Sequence, residues 1–196
     1  GYYRPLINLT YAIDYKLWGL SAPGFRTTNL FLHIVCCVIL FHFLRFMIGN
    51  RNAALAAVLI FAVHPVNTEA VSWSTARNNI LVTLFCISSI HFYIRGWKKR
   101  GGLRWVASVL TFILAILSKE MGLMVLPLLF LSQRLILHKT QNIREELLSY
   151  LPFIITIAAY FLLRKTVITS FITPIQVDDF WQRVCFAPYI FLWNLK

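Results

Sequence analysis

Acids are scarce in this chain: seven Asp and Glu among 196 residues, against nineteen Lys and Arg, for a net charge of +12. So few carboxylates, spread along the sequence, give no convincing metal cluster, and neither a metal nor another cofactor is expected. Cysteines number four, Cys36, Cys37, Cys86 and Cys185. None has metal-ligand spacing, and each lies in or beside an apolar run, where a thiol behaves as a small hydrophobe. Disulfides and structural zinc are therefore not indicated. No internal repeat or low-complexity segment is present, which argues against a transporter built from two similar halves. Nothing at Gly1-Tyr2-Tyr3 reads as a cleavable leader.

Apolar surface, in contrast, is abundant. Hydrophobic residues make up 59% of the chain and the mean hydropathy is +0.69, where soluble domains are roughly 45–50% apolar. Lipid must cover part of such a surface. The basic excess then reflects cytosolic loops and headgroup contacts. A nucleic-acid binder would need a basic face interleaved with exposed aromatics, whereas these aromatics lie inside apolar runs. The expected fold class is an all-α integral membrane protein, a polytopic helical bundle with an amphipathic interfacial helix at the N-terminus.

Residues 1–28 carry Leu6, Leu9, Ile13, Leu17 and Leu20 at three- and four-residue steps, the period of one helix face. Tyr2, Tyr3, Tyr11, Tyr15 and Trp18 accompany them and suit the headgroup layer. Ala22-Pro23-Gly24 reads as a turn. Residues 29–196 are expected to form one bundle of about seven spans, a full crossing needing roughly 20 residues. These cover Asn29–Ile48, Ala53–Val63, Ile80–Ile94, Trp105–Leu117, Gly122–Leu137, Leu147–Leu163 and a last one starting near Cys185. The segment from Arg95 to Arg104 holds five basic residues and no acid, which assigns it to the cytoplasm. Counting outward, His64–Asn79, Ser118-Lys119-Glu120 and Arg164–Arg183 fall together on the non-cytoplasmic face.

The stretch from His64 to Asn79 joins two apolar segments yet holds a histidine, a carboxylate, a guanidinium and several amides. Ionisable groups at bilayer depth usually face a cavity, a partner or a substrate. Either His64, Glu69 and Arg77 share one pocket, or Glu69 and Arg77 pair to hold two helices together while His64 caps a helix end. Lys119 and Arg77 are candidate phosphate-binding cations, with Arg4 a third; the alternative for Lys119 is simple snorkelling to the interface. Asp178-Asp179 is a weak signal of solvated acids.

Tyr3-Arg4-Pro5-Leu6, Asn29-Leu30-Phe31-Leu32-His33, the run from His64 to Val71 followed by Arg77, and Ser118-Lys119-Glu120 occur in this order. Together they resemble the membrane part of the transmembrane and tetratricopeptide-repeat O-mannosyltransferases and their prokaryotic relatives, within the GT-C superfamily. The resemblance implies a membrane glycosyltransferase that moves a mannose-like sugar from a polyprenyl-phosphate donor to a protein or glycan hydroxyl on the non-cytoplasmic face. It implies three partners: the lipid-linked donor, that acceptor and the bilayer, with no nucleic acid. The family's catalytic carboxylate stands in the first outer loop; Asp14 does not match it, and the expected position lies upstream of Gly1, as in an interior fragment. The donor and substrate residues expected are Arg4, Arg77 and Lys119 at phosphate, His64 and Glu69 orienting sugar or acceptor, and Glu120 holding Lys119. This assignment requires Glu69, Arg77 and Lys119 to meet at one bilayer face.

Overall fold

The computed structural model describes residues 4–96, 102–135 and 143–171, and among the described residues there is no strand. Helix α1 runs Pro5–Trp18, with proline in the first turn, where its missing N–H would have had no helical partner anyway. Ile7 and Asp14 are buried, whereas Leu9, Ile13 and Leu17 point outward. The periodic stripe thus faces the surroundings and the adjoining face, with Ile7 and Asp14, meets the bundle. Gly19, at φ +60°, ends the helix in a conformation that side chains disfavour.

The turn expected at Ala22-Pro23-Gly24 is instead the start of α2, Ala22–Ile48. Proline in a first helical turn costs no hydrogen bond, so the reversal falls at Gly19–Ser21. Gly49 closes α2 at φ +73°. Asn50 then caps α3, Arg51–Val63, its side-chain oxygen accepting from the N–H groups of Asn52 at 2.9 Å and Ala53 at 3.2 Å.

α3 is too short to cross alone, and α4, Val66–Ser72, continues it at a 62° bend. Pro65 cannot donate to the helix, so the carbonyls at the end of α3 need other partners. Asn67 supplies one, its amide donating to Phe61 O at 2.6 Å, and His33 Nε2 stands 3.2 Å from Ala62 O. A 3-10 turn at Ser74–Ala76 leads into α5, Arg77–Gly96. There follow α6, Leu103–Ser118, a 3-10 turn at Glu120–Met124, α7, Val125–Leu135, and α8, Ile143–Phe171.

α5 is the central helix: 56% of its most apolar window is buried, against 11% for α2 and 17% for α8. It packs most closely on α6. Gly96 permits this, since a Cβ there would lie 2.8 Å from the Trp105 nitrogen. Ser89 Oγ donates to Ser108 O at 2.9 Å and Ser108 Oγ returns a bond to Ser89 O at 2.8 Å. Such interhelical bonds in membranes contribute about 0.6 kcal/mol each. Tyr93, Phe112, Leu129 and Phe153 form the core between α5, α6, α7 and α8.

Phe31, Ile34, Leu59, Ile60, Ile155 and Leu162 lie exposed. A soluble protein seldom leaves so much contiguous apolar surface bare. Among the described residues Ala22–Ile48, Ser74–Gly96 and Leu148–Val167 are long and apolar enough to cross a membrane; the bent α3–α4 pair reaches that length only when its two helices are taken as one broken span, and Leu103–Ser118 is apolar but shorter. The span expected near Cys185, Asp178-Asp179 and residues 97–101 lie outside the described residues.

Gly122 marks the tightest approach of the second 3-10 turn to α6: a Cβ there would fall 2.7 Å from the Ala115 carbonyl carbon and 2.8 Å from the Ile116 nitrogen. Because both neighbours are backbone, Gly122→Ala should force the turn outward. We expect a loss of about 1–3 kcal/mol, read as a lower melting temperature in detergent.

Candidate functional site

The turns between helices gather their polar groups at one end of the bundle. Arg77, the first residue of α5, is fully buried there. Its Nη2 donates to the Asp14 carboxylate on α1 and to Phe25 O at 3.3 Å, and its Nε donates to Asn29 Oδ1 on α2 at 2.7 Å. The guanidinium carbon stands 4.8 Å from the centre of the Tyr11 ring. Asp14 also accepts from Thr28 Oγ1 at 3.0 Å, and Asn29 donates onward to Trp73 O at 3.1 Å. Tyr11 closes the cluster by donating to Ser74 O at 2.8 Å. Burial raises the Tyr11 phenol above its ordinary value, with Arg77 pulling it down and Asp14 pushing it further up.

This clamp corrects two expectations. Arg77 pairs with Asp14 rather than Glu69, and it does not stand with Glu69 and Lys119. The shared pocket for His64, Glu69 and Arg77 is also not formed. His64 is exposed, and its Nδ1 accepts from the Val66 N–H at 3.2 Å, which supports the start of α4.

Lys119 reaches Asn79, and Asn79 lines a cavity with Glu69. Glu69, Asn67, His33, Thr83 and Asn79 contribute to a cavity of 240 Å3 between α2, α4 and α5. On the other flank of Asn79, Lys119 and Thr83 head a groove of 390 Å3 that runs past Val82, Cys86, Ile90 and Leu128 between α5 and α7. Lys119 Nζ donates to Asn79 Oδ1 at 2.6 Å. A cavity holding a carboxylate and two amides thus adjoins a mostly apolar groove headed by an ammonium. That combination suits an amphiphile with a polar head, an anionic junction and a long tail.

Glu120 does not hold Lys119. Its Oε2 accepts from Arg4 Nη2 at 2.9 Å and Nε at 3.3 Å, and Arg164 Nη1 stands 4.0 Å from Oε1. Partial burial would raise the Glu120 carboxyl, but its own backbone hydrogen bond, Arg4 and Arg164 outweigh that and hold it below the ordinary carboxylate value. Asp14, Asn29 and Asn79 were not assigned roles from sequence. Their signals are a lone acid flanking the apolar stripe of α1, an asparagine at the head of the Asn29–His33 run, and an amide two residues beyond Arg77.

The helices, their lipid-facing surfaces and the polar cluster at one end define an all-α integral membrane protein. Residues 4–168 match the family model described as dolichyl-phosphate-mannose-protein mannosyltransferase, and the chain belongs to that family. It is 33% identical over 129 residues to the Caenorhabditis elegans protein O-mannosyl-transferase F38B6.6, covering 64% of this chain and 18% of that protein. Against the human protein O-mannosyl-transferase TMTC3 it is 32% identical over 126 residues, 63% of this chain and 14% of that one. Against mouse TMTC4 it is 33% identical over 148 residues, 64% of this chain and 20% of the relative. The chain therefore spans a fifth or less of the length of these relatives. No solved structure matches it.

Two outcomes follow. Arg77→Ala would leave Asp14 buried without its cation, and should cost about 3–5 kcal/mol; the joint replacement Asp14→Leu with Arg77→Met should recover most of it, as measured by thermal unfolding in detergent. The Arg4–Glu120 pair should stabilise fully above the ordinary carboxylate pKa of about 4.3 and fade as pH falls through the lower folded value of Glu120. Its partly exposed geometry limits the effect to about 1 kcal/mol or less, and Glu120→Gln should flatten that part of the pH–stability curve.

Proposed function

We propose that this chain forms the donor-binding part of a membrane mannosyltransferase that takes its sugar from a polyprenyl-phosphate carrier and acts on the non-cytoplasmic face. The observation that supports the reading best is the meeting of two cavities at Asn79, one bearing Glu69 and the other Lys119. The sugar lies in the cavity beside Glu69 and Asn67, which orient its hydroxyls. The phosphate lies beside Lys119, and the isoprenoid tail follows the groove along α5. An acceptor hydroxyl, of a protein or a glycan, gives up its proton to a carboxylate and attacks the anomeric carbon. The bond to the phosphate breaks with inversion, and the released lipid phosphate carries the electron pair away. Lys119 stabilises the negative charge that grows on that oxygen. Its ammonium is a compact point charge, suited to a leaving phosphate, and Asn79 steers it.

Arg4 and Arg77 are removed from the phosphate role in this proposal. Arg77 fixes the start of α5, and so the position of Asn79 two residues later; Arg4 fixes the turn that carries Lys119. His64 supports the chain break that presents Glu69. The non-cytoplasmic assignment draws on the positive-inside rule. Asp14, Glu69 and Glu120 belong to the end where the clamp and cavities gather, whereas Arg45, Arg51, Arg95 and Arg104 flank the turns at the opposite ends of their helices.

The test is transfer of label from radiolabelled mannosyl polyprenyl phosphate by membranes containing the native gene product. Lys119→Met should lower transfer about 100- to 1,000-fold. Glu69→Gln should lower transfer while leaving binding of the sugar-free polyprenyl phosphate unchanged. Normal transfer by Lys119→Met would overturn the assignment, and binding of labelled donor without transfer would reduce the protein to a lipid-linked-sugar binder.

A further inference from the structure

The Asn29–His33 run contains a group that neither the Arg77 clamp nor the donor reading uses. Asn29 faces Arg77; His33, one helical turn further along α2, is buried and lines the Glu69 cavity. Its Nε2 stands 3.2 Å from Ala62 O. A carbonyl can only accept, so in the neutral ring Nε2 carries the hydrogen and Nδ1 presents a bare lone pair. Among the described residues Nδ1 has no hydrogen-bond partner, yet it is not one of the atoms enclosed without one. It therefore keeps access to the space around it.

Thr83 stands at the seam between the Glu69 cavity and the Lys119 groove, lining both. Its Oγ1 donates to Asn79 O at 2.8 Å, so only lone pairs remain to face a ligand. The other polar groups of the cavity are spent in a similar direction. Asn67 gives one amide hydrogen to Phe61 O at 2.6 Å and keeps its oxygen, and a carboxylate such as Glu69 only accepts. Asn79 alone is turned the other way, since Lys119 takes its oxygen and leaves its amide hydrogens. Four side chains thus offer acceptors, whereas donors come from Asn79 and the second amide hydrogen of Asn67.

An acceptor-rich wall selects a ligand rich in O–H groups. Every unsubstituted sugar hydroxyl brings a hydrogen, whereas an acetamido group adds a carbonyl that needs a donor and a uronic acid adds a charge that Glu69 repels. At 240 Å3 the cavity is smaller than the roughly 300–1,000 Å3 of pockets for drug-sized ligands, which suits a single ring. We propose that His33 and Thr83 determine which sugar enters: His33 Nδ1 and Thr83 Oγ1 each accept a hydrogen bond from a sugar hydroxyl, so that a neutral hexose with free hydroxyls binds and acetamido and uronic sugars do not. The proposal rests on the donor reading, because it needs the sugar to lie beside Glu69. Neither residue takes the acceptor's proton or meets the leaving phosphate.

Membranes containing the native gene product can be loaded with labelled sugar-free polyprenyl phosphate. The label is then displaced by polyprenyl phosphates bearing mannose, each of its four monodeoxy analogues, N-acetylmannosamine or mannuronate. The margin of each over the sugar-free lipid reads the sugar contacts alone, without any need for transfer. Mannose should show the largest margin, and the acetamido and uronic sugars should show none. Thr83→Val, close in shape but without the oxygen, should lower the mannose margin about 3- to 10-fold and leave one monodeoxy sugar unaffected. His33→Leu should do the same at a different hydroxyl. That substitution also frees Ala62 O, so His33→Gln is its companion: the amide can donate to the carbonyl and still offer an oxygen, and should recover part of the margin. Affinity for the sugar-free lipid should hold in all three variants. Equal margins for mannose and N-acetylmannosamine in the wild-type protein would overturn the proposal. So would Thr83→Val and His33→Leu lowering every sugar by one common factor, the mark of a merely structural role. A wild-type protein that binds mannosyl and sugar-free lipids equally would sink the donor reading itself, whereas a mannose margin that both variants leave intact would strike only His33 and Thr83.

Discussion

A guanidinium and a carboxylate taken wholly out of water hold the polar end of this molecule together. Removing either charge from solvent is costly unless the partner and the remaining hydrogen-bond positions are supplied. Asp14, Asn29 and Phe25 O occupy the nitrogens Nε and Nη2 of Arg77, and the face of Tyr11 lies against the guanidinium. These groups come from α1, α2 and the start of α5. Mutual satisfaction can occur only when all three elements dock, so the interfacial helix is tied to the bundle rather than merely resting on lipid. The placement of Asn79, and therefore of both cavities, depends on that docking.

The polar groups of this end divide into two kinds. Arg77, Asp14, Arg4, Glu120 and His64 bond to one another or to the backbone, although Arg77 Nη1 and Glu120 Oε1 are buried without a hydrogen-bond partner. Glu69 is exposed into a cavity, and Lys119 is held by an amide that lines two cavities. A neutral amide steers an ammonium without cancelling its charge, whereas a carboxylate would neutralise it and weaken its attraction for phosphate. The pairing of Glu120 with Arg4 instead of Lys119 is thus chemically consequential: it leaves the lysine positive towards the groove.

Much of the architecture was legible in order and type. Apolar runs placed α2, α5, α6 and α8 within a few residues, apart from α2 beginning seven residues early and α8 extending past both expected bounds. Pro23 illustrates the difficulty: proline ends helices and also begins them, and only the fold of α1 back onto Gly24 decides which. The short run Ala53–Val63 posed a second ambiguity. Its break at His64-Pro65 was legible, but the continuation at 62° was not, because it depends on Asn67 and His33 reaching back to the freed carbonyls.

Pattern and composition by themselves determined that the chain is helical, that lipid covers much of it, and in which short segments its ionisable residues gather. These are properties of single segments, set by hydropathy and by where the ionisable residues fall. Tertiary structure alone decided who pairs with whom: Arg77 with Asp14 across 63 residues, Arg4 with Glu120 across 116, Lys119 with Asn79 across 40. In a low-dielectric setting each charge goes to the partner that geometry brings within reach, and sequence proximity to Glu69 or Glu120 gives no guide to that distance.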